Sequence, residues 1–188
     1  MIAISKISVS NIENAFRGMR NPLQSWSKSD YYSDIELAKN LISAGTDHSK
    51  FMRQIFVSMD IKAPLYWWKE MDTYKVGTTS NSTSTMHSLH KSYLGYDDFS
   101  FDSPTMFRDA MIENLNRHLD NFKRTGDKIH WRSLIQDLPS SYNQLRTWTA
   151  NYQVLRSIFH SRANHKLSEW HGFLTIIADL PCKELIIE

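Results

Sequence analysis

Cysteine is almost missing from this chain: Cys182 is the only one among 188 residues. A lone thiol cannot close an internal disulfide, so a reducing compartment and a scaffold held by burial are expected. No apolar run approaches the roughly 20 residues that a membrane-spanning helix requires. The opening residues Met-Ile-Ala-Ile-Ser-Lys carry neither the charged region nor the apolar stretch of a secretory signal. These absences place the expected protein in the cytoplasm and away from membranes. Charge of one sign is also lacking, because Lys and Arg together exceed Asp and Glu by only two. The basic residues are scattered, so a nucleic-acid footprint is not expected. The nucleotide and nucleophile signatures Gly-x-Gly-x-x-Gly, the Walker loop and Gly-x-Ser-x-Gly do not occur.

Aromatic residues are what the chain has in quantity. Six Trp, eight Tyr and nine Phe make up 12% of the sequence, and several stand beside polar groups, as in Tyr66-Trp67-Trp68-Lys69-Glu70. Two readings stand: a large aromatic core, or a pocket for a planar ligand. Cys182, in Leu-Pro-Cys-Lys, has no setting that marks it as a nucleophile. The length suits one ordinary domain, 1–188, able to bury about two-thirds of its unfolded surface.

The apolar spacing yields elements of both kinds. Ile2, Ile4, Ile7 and Val9 predict an opening strand, and Asn11 is placed to cap a short helix running toward Arg20. Gln24 to Tyr32 reads as a loop. Ile35, Ala38, Leu41 and Ile42 repeat at helical spacing, with Gly45 as the stop. Ile55, Val57, Met59 and Ile61 alternate as a strand does, ending at Lys62-Ala63-Pro64. Pro64 then opens a helix expected to reach about Tyr74. Gly77 to Ser84 is a polar stretch read as a binding loop. The clearest long helix carries Met106, Ala110, Ile112, Leu115 and Leu119 and ends before Gly126. Shorter helices follow around Trp131–Ile135, Tyr152–Phe159 and 164–178. The expected class is α/β or α+β, with helix dominant.

Four segments, in order, resemble the flavin-dependent thymidylate synthases. Ala38–Gly45 followed by His48-Ser49-Lys50-Phe51 is similar to a family helix and its Gly-His-x-Ser-x-Phe segment, with Thr46 inserted after the glycine. Ile55 to Pro64 resembles the strand that leads into the family's flavin motif. That motif, Arg-His-Arg-x-x-Ser-x-Asn-x-x-Ser-x-Arg, then falls between Tyr74 and Met86, with Thr79, Asn81 and Ser84 at its small polar positions. Tyr74, Lys75 and Val76 replace the basic triplet, or Thr73, Tyr74 and Lys75 if the register is set from Lys62-Ala63-Pro64; Met86 replaces the last Arg, so Lys75 is the one cation. Leu138-Pro139, Trp148-Thr149-x-Asn151 and Arg162 match without a gap.

The resemblance implies a central, mostly antiparallel sheet flanked by helices. It also implies FAD as cofactor, a pyrimidine deoxynucleotide as substrate, folate as carbon donor and a homotetramer whose sites are shared between subunits. It assigns Lys75, Thr79, Asn81 and Asn151 to the flavin, and Ser84, Thr85 and Arg162 to the nucleotide. Arg suits such a site because its planar fork meets phosphate through paired N–H groups. The competing structural reading makes Arg162 an ion-pair partner and Asn151 a helix cap. Arg156 and His160 are expected to be structural. Trp67, Trp68 and Tyr66 are expected in the core or an interface, and Glu70 and Asp72 as solvated charges. His87 and His90 share a helical spacing that can hold a metal, without a third ligand. Two functions remain: C5 methylation of deoxyuridylate (dUMP) with FAD, or a non-catalytic homologue that binds a nucleotide or a protein. Such divergent forms are expected in phage or mobile elements.

Overall fold

Alternation along residues 55–63 sends Val57, Met59, Ile61 and Ala63 to one side, and all four are buried. In the computed structural model, which describes residues 2–188, this run is the strand β2 (Phe56–Pro64). It lies inside a four-stranded sheet of order β1-β2-β4-β3, from β1 (Ala3–Ser10), β3 (Thr79–Ser82) and β4 (Asn143–Asn151). Every neighbouring pair is antiparallel. The class is α+β, as the sequence implies.

β2 runs through the expected Lys62-Ala63-Pro64 terminus, whose three residues pair with Leu145, Gln144 and Asn143. Pro64 closes the ladder where a missing N–H costs nothing, then caps α3 (Leu65–Met71). That helix stops at Met71, short of Tyr74. Strand β4 was not anticipated. Its inward positions include Gln144 and Arg146 as well as Trp148 and Ala150, so polar residues hide the period of two. The stretch Gly77–Ser84, expected as a loop, contains β3, paired with Arg146 to Thr149. It is exposed on both faces at the sheet edge, so no apolar alternation marks it.

Helices cover the buried face and one end of the sheet. α1 (Ile12–Arg20) and α2 (Tyr31–Ser43) are joined by a buried ion pair, Arg20 to Asp34 at 2.5 Å. Asn11 stands before α1 in left-handed backbone and does not cap with its side chain. Its amide instead donates to the Gln54 carbonyl. The predicted loop at 24–32 is partly ordered: a 3-10 turn spans Trp26–Lys28, and Asp30 caps α2 by accepting the Ser33 N–H. α4 (Thr85–Ser88), α5 (Met106–Thr125) and α6 (Lys128–Gln136) come next. α5 ends as expected, with Gly126 at φ 70 and its N–H on the Phe122 carbonyl. α7 (Tyr152–Arg162), α8 (Ser168–Ile177) and the short α9 (Glu184–Ile187) complete the chain. The predicted 164–178 helix begins only at Ser168, after a turn in which His165 Nδ1 accepts the Leu167 N–H.

Two apolar clusters form. The larger lies under the sheet and contains Trp67, Trp68, Tyr152, Trp170 and Phe173. Trp67 packs at 4.8 Å from Trp170 and 5.0 Å from Trp68, tilted and edge-on respectively. The Trp67–Trp68 pair therefore serves the core, where each ring contributes more than its area through the edge-to-face geometry. The smaller cluster joins Leu115 and Leu119 of α5 to Leu134 of α6. Cys182 is buried, and that burial pushes its thiol pKa up, away from reactivity.

Candidate functional site

Asn151 and Arg162 stand at opposite ends of α7, about 16 Å apart at 1.5 Å per residue. They do not point at each other. Both instead reach the segment that links α3 to β3. Asn151 is buried, and its Oδ1 accepts the Val154 N–H at 3.1 Å, a helix cap. Its amide nitrogen lies against Gly77, where an added Cβ would come within 2.9 Å. Gly77 has φ +77, so this position requires glycine for its backbone and for the close approach alike.

At the other end, Arg162 donates from Nε to the Tyr74 hydroxyl at 2.9 Å and from Nη1 to Glu70 at 3.0 Å. Its guanidinium also sits 4.7 Å from the Trp170 ring centre. Glu70 is the hub of this cluster. The same oxygen accepts the Trp170 indole N–H at 2.8 Å and faces His165 Nε2 at 3.1 Å. Because His165 Nδ1 accepts from Leu167, its proton belongs on Nε2, aimed at Glu70. Glu70 is thus an organised anion and not the solvated charge expected from sequence. Asp72 stays exposed, as expected, and also pairs with Arg146 at 2.8 Å.

Beside this network a cleft of 350 Å³ opens between α3, the following turn and β3. Lys75 and Thr79 line it together with Asp72, Tyr74 and Ser80. The cleft joins two of the candidate flavin residues. Asn81 lies two positions along on the exposed edge strand and is not part of its lining. Ser84 caps α4 by accepting the His87 N–H, and Thr85 opens that helix. Sequence reasoning missed Arg146, which stacks 4.2 Å from the Trp68 ring centre and holds Asp72 at the cleft wall. No signal pointed to it, because it lies within the strand whose alternation is masked.

Other candidates are accounted for structurally. Arg156 donates to the Leu185 carbonyl, and His160 packs edge-on with Phe159. Burial, aided by the Arg156 charge, lowers the His160 pKa. His90 stacks edge-on with Phe122, while His87 belongs to the turn before it.

A flavin dinucleotide would bring a pyrophosphate, which charge-assisted donors hold most firmly. In one chain the assigned residues offer a single cation, Lys75, and Asn151 is buried with its oxygen spent on the cap. Taken alone, this set does not fit FAD.

A scan against protein-family models finds no match, and a search of curated proteins by sequence finds none. Solved structures do match. Thymidylate synthase X (ThyX) from Helicobacter pylori with FAD and dUMP superposes with a TM-score of 0.79 at 16% identity, covering 100% of this chain and 97% of that one. A second structure of the same enzyme, the flavin-dependent thymidylate synthase ThyX complexed with FAD and dUMP, gives 0.77 at 16% identity, with 97% of each chain covered. At this identity the likeness establishes the shared fold.

Proposed function

We propose that this chain is a nucleotide-binding protein on the thymidylate synthase X fold, and that it takes the phosphate of a pyrimidine deoxynucleotide beside the α3–β3 segment. The observation that carries the reading is the convergence of Arg162 and Asn151, from the two ends of α7, on Tyr74 to Gly77, with Lys75 and Thr79 in the adjoining cleft. Arg162 supplies the cation, with Ser84, Thr85 and the β3 edge bearing Asn81 as neutral donors. Glu70 and Tyr74 preset the guanidinium, so phosphate would meet an oriented fork. The charge of Glu70 opposes that phosphate and limits affinity. This balance favours the non-catalytic homologue over the enzyme.

The second reading, FAD-dependent methylation of dUMP at C5 with a folate carbon donor, is favoured by the ligands named for both structural neighbours. It requires the missing pyrophosphate contacts to come from other subunits of a homotetramer. Light scattering that returns a monomer mass would remove it. The binding reading is tested by calorimetry with dUMP. Saturable binding that weakens about tenfold or more in Arg162→Ala is expected for a lost charge-assisted contact. The absence of heat and of thermal stabilisation at millimolar dUMP would sink it. Added FAD that leaves the protein colourless after gel filtration would sink the enzymatic version alone.

A further inference from the structure

The largest of the cavities described, 580 Å³, lies away from the Arg162 cluster, between the start of β1, the start of α3, the 100–102 segment and α8. Ile4, Ile176 and Phe101 give it an apolar wall. Glu169 lines it and is only 9% exposed. A buried carboxylate normally has a cationic partner. Here the partner is a phenol: Tyr66 donates its hydroxyl to Glu169 Oε1, while among the described residues no Lys, Arg or His lines the cavity. Burial, reinforced by the bond to Glu169, pushes the Tyr66 pKa up and keeps that donor protonated. Glu169 also sits in the first turn of α8, where the helix dipole favours a negative charge. Within the cavity lining, the one hydrogen-bond partner described for the Glu169 carboxylate is this neutral donor. A second carboxylate, Asp102, stands exposed among the lining residues.

We propose that this cavity is a binding site for a small organic cation, a primary amine carrying an apolar body. The ammonium group would meet Glu169 in the interior, the apolar body would lie against Ile4, Phe101 and Ile176, and Asp102 would draw the cation toward the site. Lone surface carboxylates attract cations weakly, but a desolvated one beside apolar walls selects a ligand that has both features. The inference is independent of the nucleotide reading, since the described partners of Arg162, namely Tyr74, Glu70 and Trp170, do not line this cavity.

The probe is phenethylammonium, compared with phenylacetate, its anionic counterpart of similar shape, by ligand-observed NMR and calorimetry on the intact chain. The amine should bind saturably and the acid should not. Glu169→Gln keeps an acceptor for Tyr66 and removes the charge, and should weaken the amine about tenfold or more. Should that variant fail to fold, Asp102→Asn, at an exposed position, should still lower amine affinity about two- to threefold, with the loss disappearing at high salt. Equal binding of amine and acid, no saturable amine binding by the native chain, or unchanged affinity in a folded Glu169→Gln protein would each overturn the proposal.

Discussion

Two regions flank the cleft and differ in how their polar groups are spent. On one side Arg162, Glu70, Tyr74, His165 and Trp170 are tied to one another over an aromatic core. On the other, Lys75, Thr79 and Asn81 lie exposed along an edge, with no side-chain hydrogen bond to other described residues. The difference teaches that residue type alone does not make a ligand site. The first region has strong chemistry already committed to internal partners, whereas the second has free donors with little charge. A nucleotide would draw on both, taking orientation from one and open hydrogen-bonding capacity from the other.

Substitutions should separate the two regions by their effect on stability, the largest falling in the tied region. Trp170→Ala removes a ring with no exposure and strands Glu70 without its indole donor. A loss of about 3–5 kcal/mol is expected in chemical denaturation. Gly77→Ala should cost about 2 kcal/mol, because the left-handed backbone disfavours a side chain and Asn151 must shift. If thermal melting shows no change, the described contact between Gly77 and Asn151 is not maintained in solution.

Smaller effects follow at the ends of α7. Asn151→Ala should cost about 1 kcal/mol through the lost cap, and Asn151→Asp should restore most of it. Arg162→Leu should also cost about 1 kcal/mol, since its pair with Glu70 is only partly buried. Glu70→Gln sharpens the comparison most, because its two readouts should move in opposite directions. Stability should fall slightly while dUMP affinity rises several-fold, as the competing anion is removed from Arg162. If affinity falls with stability, Glu70 positions the guanidinium more than it competes with phosphate. On the open side, Thr79→Ala and Asn81→Ala should leave the melting temperature unchanged, and only nucleotide binding should respond.

Much of the fold was legible because its signals are local. The 55–63 alternation, the α5 stripe ending at Gly126 and the Tyr152–Phe159 stripe each reflect one buried face meeting a regular backbone period. Strand β4 escaped notice because Gln144 and Arg146 point inward, where Gln144 donates to the Thr83 carbonyl and Arg146 lies over Trp68. β3 escaped because an edge strand exposed on both faces carries no apolar mark. In the candidate site, Asn151 and Arg162 were named as candidates by the resemblance. The roles of Glu70, Asp72 and Arg146 were not, because each depends on a partner about 75 to 100 positions away.

By itself the sequence determined which segments bury an apolar face and where helices stop, since those choices are made between near neighbours along the chain. Tertiary structure alone decided which charges are free and which are spent. Glu70 and Glu169 are both carboxylates on helices near aromatic rings, yet one faces an arginine and the other an apolar cavity. That outcome depends on what the folded chain places within about 3 Å, where desolvation and pairing set the energy of a charge.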